Sequence, residues 1–308
     1  MYHLTFGKCK GLEIAKVSGG KRDGQILKLT EESPVTKDKI KKEIAFSDYE
    51  QDLKQFKPKE RIGVLNQLRK AYENGNMDQT FFDERIQVLY EKIKENETDN
   101  KEVELEDGIF EPIIIPNKHN VFYMCGASGS GKSYLAGQVA KNYKKMYPKR
   151  EVYLVSKLEK DETIDKMKFI KRIDVMTFFE SAPVLDEFAD SLVIFDDYEG
   201  FDKKLFEIVI ALINDIAITG RHTNTDLILC QHNFTNYKAT RMILLEVTHI
   251  VIYPASASNQ ALRYLLGTYC GLDTKQIQEV KKMKSKFVCL YRHHPNFLMG
   301  QTFAKLLH

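Results

Sequence analysis

Tryptophan is absent and proline is sparse, 8 in 308 residues. No apolar run reaches the roughly 18 residues that a membrane-spanning helix requires. The residues after Met1 also lack the basic-then-apolar order of a secretory leader, so a soluble, intracellular protein with no membrane span is expected. The five cysteines, Cys9, Cys125, Cys230, Cys270 and Cys289, form no C-x-x-C pair. That removes the usual zinc and dithiol frameworks, and three of them lie in apolar runs where cysteine acts as a small hydrophobe; reduced thiols are expected. Nor does charge of one sign dominate, with 46 basic against 43 acidic residues and a net +3. Composition alone therefore names no nucleic-acid partner, and any DNA contact has to come from local patches.

What the chain does have is 43% hydrophobic content, enough at this length for a sizeable core. Residues 11–17 and 25–29 read as two short strands around a turn containing Gly19, Gly20 and Gly24, a small hairpin. Ile62, Leu65, Leu68 and Tyr72 then repeat at helical spacing, Asn74 and Gly75 interrupt, and Phe82, Ile86, Leu89 and Ile93 resume the pattern as a helical hairpin. Residues 96–108 are acidic and nearly free of large apolar side chains, the composition of a solvated linker. The expected organisation is a small α+β N-terminal extension over 1–108 and a larger α/β domain over 109–308.

In the larger domain, strand-length apolar runs at 121–125, 152–155, 192–195, 227–230 and 249–253 alternate with helical stretches at 132 to about 147 and about 202–219. This alternation predicts a mostly parallel sheet with helices on both faces. Segments 286–291 and 297–299 flank Arg292, His293, His294, Pro295 and Asn296, and are expected to close the sheet as an antiparallel hairpin.

Gly126, Ala127, Ser128, Gly129, Ser130, Gly131, Lys132 and Ser133 match G-x-x-x-x-G-K-[ST] between an apolar strand and an amphipathic helix. Glycines let the backbone N–H groups wrap phosphates, and the helix N-terminus adds positive potential. Lys132 is expected to reach the β/γ oxygens of ATP and the Ser133 hydroxyl to ligate Mg²⁺. The apolar run ending in Asp196 and Asp197 reads as a buried strand carrying a metal-site acid, Asp196, and a general base, Asp197, with Glu199 the less favoured base. Asp197-Tyr198-Glu199-Gly200 also spells the D-x-x-G of GTPase switches, but no guanine-reading N-K-x-D follows.

After the second helix come Gly220, Arg221, His222, Thr223 and Asn224, then a strand ending in Gln231. An amide at that strand end can hydrogen-bond both a water and a phosphate oxygen, which makes Gln231 a candidate γ-phosphate sensor; the alternative is a residue that starts a turn. Arg221 can stabilise transition-state charge, in its own subunit or a neighbour's, or cap a helix C-terminus; Arg241 is a second candidate.

Taken together, the loop at 126–133, Ile194-Phe195-Asp196-Asp197, Asn214-Asp215 with the following Gly220-Arg221-His222-Thr223-Asn224, and Leu229-Cys230-Gln231-His232 resemble the genome-packaging ATPases of large nucleocytoplasmic DNA viruses. These form the poxvirus-type branch of the FtsK/HerA superfamily, and the resemblance covers about residues 110–300. It implies a RecA/FtsK-HerA-like P-loop NTPase fold and a ring-forming homo-oligomeric motor that hydrolyses ATP, with Mg²⁺, to drive double-stranded DNA into a capsid. It also implies a place in the virion and the host cytoplasm. By carry-over, Lys132 and Ser133 are nucleotide ligands, Asp196 the metal-site acid, Asp197 the base and Gln231 the sensor. Where superfamily members often have Glu after the metal-site Asp, this chain has Asp197.

Lys281, Lys282, Lys284 and Lys286, with the loop Arg292-His293-His294, are the basic groups that such a motor could set against DNA phosphates; Lys21-Arg22 and the stretch 37–42 are weaker candidates. The extension could dock on a capsid protein or a nuclease. The other readings are a helicase or segregation pump of the same superfamily, a nucleotide-locked structural or assembly subunit, and a nucleotide kinase, which lacks an arginine-rich lid here.

Overall fold

The computed structural model of the protein describes residues 2–6, 10–31, 101–234 and 237–307. The helical hairpin expected at 62–93 and the basic stretch 37–42 lie outside the described residues. The chain divides into two compact units, the larger of which holds, among the described residues, 4–6, 10–29 and 102–307.

A ten-stranded sheet organises the larger unit. Its parallel part is built from β6 (Val121–Cys125), β7 (Glu151–Ser156), β8 (Ile170–Arg172), β9 (Ser191–Asp196), β10 (Asp226–Gln231) and β11 (His249–Ile252), in the order β11-β6-β10-β9-β7-β8. Strands β6, β9 and β10 are buried along their whole length, as expected of parallel strands covered on both faces. Beyond β11 the sheet turns antiparallel through β12 (Val288–Tyr291), β13 (Phe297–Met299) and β14 (Phe303–Leu306). The expected closing hairpin is thus β12–β13, extended by one further strand. Two further strands, β4 (Glu102–Glu104) and β5 (Ile109–Pro112), precede β6 in the chain. β4 pairs with β14 at the sheet edge, so part of the acidic stretch read as a linker is an edge strand. Its glutamates are exposed, the kind of charged side chain that keeps an edge from pairing with other chains.

Helix α1 (Lys132–Met146) buries Leu135, Ala136, Val139, Ala140 and Tyr143, one stripe at helical spacing, and places Lys144 and Lys145 in its last turn, where cations complement the dipole. It lies against β5, β7, β9 and β10. Helix α2 (Lys203–Thr219) starts where the Asp202 side chain accepts from the Lys204 and Leu205 amides at 3.0 Å each. Its buried Leu205, Val209, Leu212, Ile213 and Ile216 join Tyr123, Phe195 and Leu229 in the main apolar cluster, together with Ile243 and Leu244 of α3 (Tyr237–Glu246). Residues of β6, β9 and β10 alternate between this cluster and the α1 face. Truncating a core residue such as Phe195 to alanine is worth about 3–5 kcal/mol. At the end of α2, a Cβ on Gly220 would lie 2.8 Å from both His119 Nε2 and the Thr225 carbonyl, so the chain turns there only with glycine.

The hairpin read near the start is present as β2 (Leu12–Ser18) and β3 (Ile26–Glu31), antiparallel around Gly19, Gly20 and Gly24, all three at positive φ. With β1 (Tyr2–Phe6) and β5 they make a four-stranded sheet in the order β1-β3-β2-β5. No described helix is long and apolar enough to cross a membrane. Cys125, Cys230, Cys270 and Cys289 are free thiols, and burial pushes Cys270 up to about 12.

Candidate nucleotide-binding site

The site forms at the carboxyl ends of β6, β9 and β10, where an open α/β sheet presents its loops. β10 lies between the other two, pairing Gln231 with Cys125 and Cys230 with Asp196. The three segments singled out in the sequence therefore end side by side.

The phosphate loop runs from β6 into α1. Gly129 has φ +72 and Gly131, which caps α1, has φ +104, conformations that L side chains rarely adopt. A Cβ on Gly126 would lie 2.8 Å from Tyr253 Cδ2 and 3.0 Å from Ser130 Oγ, so the loop needs glycine where it packs on the residue that follows β11. Gly126 N donates to the Gln231 carbonyl at 3.1 Å, and Ala127 N to Ser256 Oγ at 3.3 Å. Lys132 is buried, with its ammonium held 2.9 Å from the Gly126 carbonyl and 3.1 Å from that of Ala127. Ser130 Oγ is buried with no hydrogen-bond partner among the described residues.

Ser133 Oγ donates to Asp196 Oδ2 at 2.7 Å. Asp196 is 3% exposed. Burial, assisted by the neighbouring Asp197 charge, pushes its carboxyl above the usual range, against the Ser133 hydrogen bond. These features fit a magnesium nucleotide: glycines that admit phosphate against backbone, an orphaned hydroxyl and an ammonium within the loop, and a hydroxyl–carboxylate pair of the hard oxygen type Mg²⁺ prefers.

Asp197 begins the turn after β9 in a left-handed conformation, φ 51, an uncommon backbone for a residue with a side chain. Its Oδ1 is 2.6 Å from His232 Nε2. Glu199 Oε2 accepts from the His232 amide at 3.0 Å. Gln231, one residue earlier, is 1% exposed. Its Oε1 accepts from the Tyr123 hydroxyl at 2.7 Å and its Nε2 donates to the Tyr198 hydroxyl, so both ends of the amide are engaged by tyrosines.

Arg221 sits elsewhere, exposed in the turn after α2, with its Nε directed at His222 Nε2 at 3.2 Å. It lines a cavity of about 330 Å³ with Lys118, His119, Tyr147, Arg150, Asn224 and Asp226. Asp226 starts β10 and Gln231 ends it. At about 3.3 Å per residue, roughly 17 Å of strand separates this cavity from the phosphate loop, beyond the reach of an arginine side chain. Arg241 is exposed on α3.

The basic groups proposed for DNA differ in their surroundings. Arg292 donates to the carbonyls of Leu244, Val247 and Tyr269 at 2.6, 2.8 and 2.8 Å, capping the end of α3. Lys281 donates to Asn259, and Lys286 reaches back beside Gly131. Lys282 and Lys284 are exposed.

Three groups of the site were given no role from the sequence, His232, Tyr253 and Ser256, and a fourth, Lys286, was read as a DNA contact and not as a neighbour of the phosphate loop. His232 had a signal, its place beside Gln231 in the strand-end motif. The other three follow only from the pairing of β11 with β6 and of β12 with β11.

No family model matches the chain. Among solved structures it is similar to B204, the DNA-packaging ATPase from Sulfolobus turreted icosahedral virus, with 16% identity, a TM-score of 0.42, and coverage of 62% of this chain and 100% of that one. It is also similar to the conjugation coupling protein TcpA of pCW3, with 12% identity, a TM-score of 0.40, and coverage of 96% and 77%. These are distant likenesses, and what the site can do follows from its own strands, loop and contacts. A nearer relative is a Sputnik virophage protein described as uncharacterized protein V3, 33% identical over 217 residues, which is 70% of this chain and 88% of the relative. The chain belongs to the same family as that virophage protein, and its mostly parallel sheet carries the phosphate-binding loop between β6 and α1.

Proposed function

We propose that this protein hydrolyses ATP to drive double-stranded DNA into a viral capsid, working as a homo-oligomeric ring. The observation that carries the catalytic part is the 2.7 Å contact between Ser133, at the start of the phosphate-loop helix, and Asp196, at the end of the buried acidic strand. That pairing, under a loop containing Lys132, is the arrangement that phosphoryl transfer requires. The packaging part is supported by the motif resemblance and by the viral source of the relative.

Gly126 to Ser133 cradle the phosphates through backbone N–H groups, and Lys132 exchanges its loop carbonyls for β/γ oxygens. Ser133 and Asp196 are the groups that would hold Mg²⁺, which when bound neutralises phosphate charge. Asp197 takes the proton of the attacking water as the water oxygen bonds to the γ-phosphorus. The bond to the β,γ-bridging oxygen breaks, and its electron pair leaves on ADP. Arg221, being some 17 Å of strand away from its own loop, serves a neighbouring subunit's nucleotide. The exposed Lys282 and Lys284 supply weakly specific phosphate contacts to DNA. Residues 1–108, as the extension, dock a capsid protein or nuclease.

Steady-state ATP hydrolysis with and without long double-stranded DNA, with Lys132→Ala as the blank, tests this reading. Several-fold stimulation by DNA with a dead blank is the expected result. Nucleotide binding with turnover indifferent to DNA would remove the motor and leave a nucleotide-locked assembly subunit.

A further inference from the structure

At the end of β10, the group that meets the acidic turn is His232, one residue past the strand. Because β10 pairs with β9 in the register Cys230 to Asp196, the residues just beyond the two strand ends, His232 and Asp197, are brought together. Their contact is short, Nε2 to Oδ1 at 2.6 Å. An ionised carboxylate only accepts, so Nε2 must carry the proton and donate. The histidine is fixed from behind by its own amide, which donates to Glu199 Oε2 at 3.0 Å. Both partners of the contact remain open to solvent, His232 at 38% and Asp197 at 28% side-chain exposure, whereas Gln231 is closed in by Tyr123 and Tyr198. Asp197 also holds a left-handed backbone, φ 51, which turns the chain at the end of β9.

We propose that His232 is a positioning residue for hydrolysis: its Nε2–H fixes one oxygen of Asp197 so that the other is presented to the attacking water. This rests on the ATP-hydrolysis reading above and gives His232 a role distinct from the γ-phosphate sensing expected of its neighbour Gln231. The proton leaves the water for the free oxygen of Asp197, and His232 keeps its own proton throughout.

The experiment compares His232→Ala, His232→Gln and His232→Asn with wild type, measuring kcat, KM and the affinity for a non-hydrolysable ATP analogue. Glutamine can place an N–H near the position of Nε2; asparagine cannot reach it. Losing an oriented base should lower kcat about 10- to 100-fold in His232→Ala and His232→Asn, leave analogue affinity within about twofold, and be largely restored in His232→Gln. In the absence of nucleotide, the ring resonances of His232 should move in Asp197→Asn. The proposal fails if His232→Ala turns over like wild type, if glutamine rescues no better than asparagine, or if the resonances do not respond. A wild-type protein with no turnover sinks the ATPase reading and this proposal together, whereas an active wild type beside an unimpaired His232→Ala sinks this proposal alone.

Discussion

Ser133 Oγ and Asp196 Oδ2, 63 positions apart in sequence, lie 2.7 Å from each other. One comes from the first turn of α1 and the other from the last residue of β9, so the pair exists only when the phosphate-loop helix is seated on the sheet. If they share one ion, Ser133→Ala and Asp196→Asn should each reduce magnesium-dependent ATP turnover on the order of a hundredfold, and the double variant should be little worse than the poorer single. Steady-state phosphate release across a magnesium titration measures this. Independent, multiplying losses would mean that the two act separately.

The two tyrosines around Gln231 make a different kind of prediction. Gln231→Ala leaves the Tyr123 and Tyr198 hydroxyls without that amide in a buried place, which should reduce folding stability by about 1–3 kcal/mol. Urea unfolding reads this directly. A variant that unfolds like wild type yet has lost turnover would instead make Gln231 the phosphate sensor expected from its strand-end position.

Arg221 can be tested by mixing. If it acts on a neighbour's nucleotide, Arg221→Ala and Lys132→Ala should each be inactive alone, one lacking the arginine and the other the phosphate lysine. A mixed oligomer combines an intact loop in one subunit with an intact Arg221 in the next, so activity should return on mixing. A mixture as inactive as its components would confine Arg221 to a structural role.

Asp226 governs a pH effect on stability. It is buried at the start of β10, where it accepts hydrogen bonds from Asn120 N at 2.7 Å and Asn120 Nδ2 at 3.1 Å. Burial nevertheless raises its carboxyl from 3.8 to about 7, with Arg150 opposing weakly. The folded chain therefore binds this proton more tightly than the unfolded chain. Stability should fall as pH rises from about 4 to 7, with the whole penalty, a few kcal/mol, present above that. Asp226→Asn keeps an acceptor for Asn120 and removes the charge. Thermal melts should place the variant above wild type at pH 8 and converge with it near pH 4; parallel curves would show that Asp226 does not titrate as inferred.

The phosphate loop, the parallel core strands and α1 and α2 could be read from the chain because their signals are local. A strand buried on both faces is a continuous apolar run, α1 shows one apolar stripe, and Gly129 and Gly131 mark backbone that few other residues can adopt. Strand β4 was hidden because its exposed glutamates carry the composition of a linker, and only pairing with β14 reveals it.

By itself, then, the sequence determined the nucleotide loop and the acidic strand end, since both are written in consecutive residues whose backbone and charge requirements are intrinsic. The tertiary structure alone decided which groups meet there. The register of β10 between β6 and β9 sets His232 against Asp197 and turns Gln231 to the tyrosines. The length of that same strand leaves Arg221 at the far end of the sheet. Gln231 is the last residue of β10 and His232 the first beyond it, so two sequence neighbours meet different partners, and only the pairing of the strands shows which.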